Sequence, residues 1–163
     1  MSFSMKNTFL ISFILITFLV ACSTSAADPD IVQNGIEIYQ ARVPVPVGLS
    51  TNESMDGMQM DINLAAFMVI KNTSGTDDRL LSVSVDFANA SIHETRMDGD
   101  VMQMFEVTGI DIPAGESVEL KSGSFHIMLM KPTMQPQVGE TVDITLEFEK
   151  AGTLIVPATV VEQ

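Results

Sequence analysis

The strongest constraint on this chain is its punctuation. From Gly35 onward, short β-prone runs are broken by Gly, Pro, Asn and Asp, and no stretch sustains the 3.6-residue period of an amphipathic helix. Such a chain can bury its apolar residues only by pairing strands. The pattern predicts strands over Ile36–Val43, Leu64–Lys71, Arg79–Phe87, Ser91–Met97, Val101–Val107, Ser117–Lys121, Phe125–Met130, Thr141–Glu149 and Thr153–Val161. Between them, Lys71-Asn72-Thr73-Ser74-Gly75 and Lys121-Ser122-Gly123 supply residues that tolerate positive φ, while Ile112-Pro113-Ala114-Gly115 fixes one φ and frees another. About eight or nine strands at this spacing predict an all-β sandwich or Greek-key barrel. With no internal repeat, one domain is expected over residues 35–163, long enough to close a single core.

The residues before the domain read as an export signal. Lys6 supplies a positive start, and Phe9 to Val20 form an apolar run too short for a comfortable membrane span. Leu19-Val20-Ala21-Cys22, followed by the polar Ser23-Thr24-Ser25, resembles the lipobox of bacterial lipoproteins. That resemblance implies a signal peptide over 1–21, lipid on Cys22, and a small, polar, acidic tether over 22–34 linking membrane to domain. A plain signal-peptide cut near Ala26 or Ala27 is the alternative. Both readings predict work outside the cytoplasm, in the cell envelope or periplasm. The 21 acidic residues against 8 basic ones give a net charge of −13, and loss of the leader would remove only Lys6 from the basic side. Such a surface makes nucleic acid a poor partner.

Methionine is used heavily: the chain has 12, against 2 histidines, 1 cysteine and no tryptophan. Asp98-Gly99 is a residue pair suited to a two-residue hairpin turn. If those two form the turn, Met97 faces Asp100 and His93 stands directly across from Met104 on one face. His126 and Met128, two apart on a strand, share a face as well. Both histidines of the chain thus fall into His/Met pairs. Met68, Met97, Met102 and Met130 are read as including ordinary core fillers.

The donor set selects the metal. Thioethers are soft, neutral donors that hold Cu(I) well and hard cations poorly, and imidazole is acceptable to Cu(I). Zinc sites draw on Cys, His and carboxylate instead. One Cu(I) per domain, held by His93, Met104, His126 and Met128, is therefore expected. A blue-copper centre would need a cysteine ligand, and Cys22 is committed to lipid. Neither histidine lies in a nucleophile motif, so no enzyme is expected. The loop from Ser50 to Asp61 brings Met55, Met58 and Met60 close together, a possible second, weaker copper site.

Written as spacing, the four candidate ligands read H-x10-M-x21-H-x-M, which is similar to the signature of periplasmic Cu(I) chaperones of the PCu(A)C type. Neighbouring phrases resemble that family too, among them Ala66-Phe67-Met68-Val69-Ile70-Lys71-Asn72, Val101-Met102-Gln103-Met104 and Leu146-Glu147-Phe148-Glu149-Lys150-Ala151-Gly152. The resemblance runs from about Gly35 to Val161. It implies a cupredoxin-like β-barrel and a Cu(I) carrier serving a copper-accepting partner, typically a cytochrome c oxidase subunit or assembly factor on the route to the Cu(A) centre. Copper sequestration or resistance without delivery is the alternative role. Three features depart from the family: Tyr39 stands before Arg42 where a Trp is usual, a lipobox implies a lipid anchor, and the Ser50 to Asp61 loop is longer.

Overall fold

The computed structural model describes residues 28–46, 62–99 and 101–163. The expected leader, Cys22, the start of the tether, the loop methionines Met55, Met58 and Met60, and Asp100 lie outside them. The described residues form eleven strands and no helix: β1 (Ile31–Gln33), β2 (Ile36–Val45), β3 (Leu64–Asn72), β4 (Asp78–Ser84), β5 (Asn89–Asp98), β6 (Val101–Glu106), β7 (Ile110–Ile112), β8 (Ser117–Leu120), β9 (Phe125–Met130), β10 (Thr141–Phe148) and β11 (Gly152–Glu162). The main path runs β6-β5-β9-β3-β2-β11-β10-β4-β7, with β1 on β2 and β8 on β3. All pairings are antiparallel except β2 with β11.

Two short strands were not expected. β1 lies inside the stretch read as tether, so ordered structure begins before Gly35. Asp30 explains the seating of this segment: its carboxylate accepts the Ala41 N–H at 2.8 Å, while its own N–H donates to the Ile38 carbonyl at 2.7 Å. Ala41 needs that outside acceptor because β2 bulges between Tyr39 and Arg42, with Gln40 at φ +54°. β7 packs on β4 beside Gly109. A Cβ at Gly109 would stand 2.5 Å from the Leu80 carbonyl oxygen, and its φ is +148°.

The turns follow the chemistry of their residues. At Lys121–Ser124 and Pro113–Glu116, the fourth N–H donates to the first carbonyl at 3.2 and 3.1 Å, and the third residue is a glycine at φ +77°.

β3 pairs with β2 along one edge, and its other edge is divided between two partners. Leu64–Ala66 pair with β9, whereas Met68–Lys71 pair with β8. Beyond this division β9 and β5 add Ile127, Leu129 and Ile92 to the common core, and β6 extends from the far edge of β5. Ile92 on β5 and Ile127 on β9 are directly paired, and Ala66 flanks Ile127 on β3. All three are buried, with Leu129 beside them in the same core. Alternation then turns His93, His126 and Met128 to the opposite face.

Deleting buried side-chain carbons here removes transfer energy and leaves a cavity. Ile127→Ala is expected to lower unfolding free energy by about 2–5 kcal/mol, measured by urea denaturation.

Candidate metal centre

β5 is the middle strand of the site, and its neighbours differ in register. Against β9, His93 is the direct partner of His126 and Ser91 the partner of Met128. The two imidazole rings lie 5.9 Å apart between centroids, inclined at 45°. Sequence reasoning had placed His126 with Met128 but did not see that His93 stands opposite His126.

Against β6, the expected register is corrected. His93 pairs with Glu106, Met104 pairs with Thr95, and Met97 pairs with Met102 rather than with Asp100. Asp98 remains in the strand, paired with Val101, and the turn begins at Gly99 with φ +62°. Glycine adopts this positive φ at no steric cost. The Gln103 amide donates to the retained Asp98 carboxylate at 3.3 Å. The correction amounts to two residues, an even number, so Met104 keeps the same face as His93 and stands diagonal to it.

Met104 and Met128 therefore flank His93 diagonally, one on each neighbouring strand. Bringing both thioethers and both imidazoles to one ion would use the long, unbranched reach of methionine. Exposure is graded across the set: His126 is 4% exposed, His93 and Met128 are half-buried, and Met104 is 51% exposed.

Each imidazole keeps one ring nitrogen engaged and one available. The Nδ1–H of His126 donates to the Ser124 carbonyl at 3.0 Å, leaving Nε2 as the lone pair. The same carbonyl accepts the Thr95 N–H at 3.1 Å. In His93 it is Nε2 that is engaged, sharing a hydrogen bond with Ser91 Oγ at 2.9 Å, while Nδ1 is buried without a partner among the described residues; with the ring proton on Nε2, Nδ1 keeps its lone pair free. A buried polar atom left unpaired is costly. Two neutral imidazole lone pairs with two thioethers fit a soft, low-charge cation, and the unpartnered Nδ1 is what such a cation would relieve.

Sequence reasoning missed Ser91 and Ser124. A signal was present: both histidines sit in Ser-x-His, as Ser91-Ile92-His93 and Ser124-Phe125-His126. On a strand this spacing turns serine and histidine to the same side. The methionines read as including core fillers do include one, but they divide. Met68 is buried core, but Met97 and Met102 are 62% and 66% exposed.

A family model described as "Putative lipoprotein LpqE-like" matches residues 36–160. The "Putative lipoprotein Lxx21020" of Leifsonia xyli is 35% identical over 91 residues, covering 55% of each chain. The uncharacterized protein RP573 of Rickettsia prowazekii is 32% identical over 89 residues, or 53% of this chain and 49% of that one. The chain thus matches about half the length of these curated relatives. Among solved structures, the copper-bound PCuAC domain from PmoF2 shares the fold with a TM-score of 0.63 at 22% identity, over 82% of this chain and 97% of that one. The Cu(I) form of DR1885 from Deinococcus radiodurans matches with a TM-score of 0.55 at 28% identity, over 77% and 79% of the two chains. The architecture is the expected cupredoxin-like β-sandwich.

The pKa of His93 lies below its ordinary 6.5, first because burial disfavours the cation, then because His126 repels it; Glu106 opposes both. In the unfolded chain His93 takes up a proton that the folded state refuses, so its contribution to stability is lost as pH falls. Wild-type unfolding free energy should decline below about pH 6.5, and level off for this group only past the depressed folded value. His93→Gln should flatten that part of the profile. Urea denaturation across this pH range, comparing the two proteins, measures the difference.

Proposed function

The chain belongs to the LpqE-like lipoprotein family, and from that premise we propose that it is an exported, lipid-anchored Cu(I) carrier. One ion is held by His93, Met104, His126 and Met128 and passed to a copper-accepting protein, with no substrate turned over. The observation that carries this reading is the cross-strand His93–His126 pair, each ring offering one free nitrogen beside thioethers on the same face. The donor set is neutral and soft, which favours Cu(I) over zinc and over hard cations. The copper-bound state of the PmoF2 domain and the Cu(I) state of the Deinococcus protein support it.

Delivery is favoured over sequestration by the exposure of Met104. A store would enclose its ion, whereas a ligand with half its surface in solvent can be exchanged for one from a partner. Resemblance to the PCu(A)C chaperones makes a Cu(A)-bearing subunit of cytochrome c oxidase, or its assembly factor, the proposed recipient. The acidic surface of the carrier suits a basic patch on such a partner.

Anaerobic titration against a competing Cu(I) chelator tests the site. Wild type should bind one equivalent tightly, and each of His93→Ala, Met104→Ala, His126→Ala and Met128→Ala should weaken it by at least about tenfold, or 1.4 kcal/mol. Alanine variants indistinguishable from wild type would refute the ligand set. Copper passing from the loaded protein to a metal-free Cu(A) domain is the outcome that separates delivery from storage.

A further inference from the structure

The β5–β6 hairpin carries more thioethers than the four-donor centre uses. On the face shared by His93 and Met104, the next cross-strand pair toward the turn is Met97 with Met102. Both side chains are largely in solvent, at 62% and 66% exposure, although neither contributes to the core. Directly paired residues on neighbouring strands hold their Cβ atoms about 4.5–5.5 Å apart. Two methionines at that separation can close their sulfurs on one soft ion. Met102 also lies two residues from Met104 along β6, about 7 Å away on the same face.

Exposure falls steadily from the tip inward, from Met97 and Met102 through Met104 to the half-buried His93 and buried His126. We infer that Met97 and Met102 form a second, weaker site for a soft monovalent cation at the hairpin tip, and that Cu(I) reaches Met104 through it. The identity of the ion rests on the copper-carrier reading above; the geometry of the pair does not. Neutral thioethers release a bound cation readily, and a third thioether within reach lets the ion change ligands one at a time without ever being bare. Atoms and charge balance at each exchange, because one neutral sulfur replaces another on an unchanged Cu(I).

The test uses the full chain labelled with 13C in its methionine methyl groups, titrated anaerobically with Cu(I). The first equivalent should move the methyl signals of Met104 and Met128. Further Cu(I) should move those of Met97 and Met102 together, with an affinity at least about tenfold weaker. In the Met97→Leu, Met102→Leu double variant, which keeps size and apolarity but removes sulfur, the second event should vanish. Affinity for the first equivalent should stay within about twofold, while the rate of Cu(I) uptake falls by about tenfold or more. Methyl signals of Met97 and Met102 that stay fixed, shifts confined to Met55, Met58 and Met60, or a double variant loading at the wild-type rate would each overturn the proposal. The last outcome would reduce the tip to an apolar docking patch. Failure of the Met104 and Met128 signals to move would instead refute the four-donor centre, and a response at Met97 and Met102 would still establish the tip site.

Discussion

The pairing of β5 with β9 is the constraint on which the candidate centre depends. One ladder sets two outcomes: Ile92 against Ile127 on the inner face, and His93 against His126 on the outer. A slip of one residue between these strands would turn an imidazole of one toward the core and take an isoleucine out of it, so the hydrophobic driving force that closes the sandwich also enforces the histidine pairing. Register here is held by burial. At β6 it is held by the turn, because most of that strand is exposed and contributes no residue to the core.

That difference explains how much the sequence disclosed. Phe125–Met130 was legible because it is a short apolar run bounded by Lys121-Ser122-Gly123 and Lys131-Pro132, and the structure places β9 over the same residues. The facing of His126 and Met128 followed from it. On the β5–β6 hairpin, Asp98-Gly99 announced a turn but not which residue would occupy its first position, and the register came out two residues off. Parity survived, so Met104 kept its face while its partner changed from His93 to Thr95. The His93–His126 pair joins strands distant in the chain, and no local pattern specifies which strands become neighbours. β1 and β7 were missed because three residues are too few to show a period, and what seats them is tertiary: the Asp30 carboxylate for one, the bare backbone of Gly109 for the other.

Methionine's two uses were the harder ambiguity. The same residue fills the core at Met68 and stands in solvent at Met97 and Met102, and composition alone cannot separate these. Exposure separates them at once. Apolar side chains set out in water at a hairpin end that adds nothing to the core call for an account other than packing, and softness toward metal ions is the property a thioether has that leucine lacks.

The Ser124 carbonyl, which accepts both the Thr95 N–H and the His126 Nδ1–H, has a mechanical implication. One oxygen serves as the hinge-pin between the backbone of the hairpin arm and the most deeply placed ring. A displacement that draws Thr95 away from β9 alters the acceptor to which the His126 ring is tied. The arm that reaches into solvent and the imidazole held inside are thus coupled through this shared acceptor, in addition to the β5–β9 ladder.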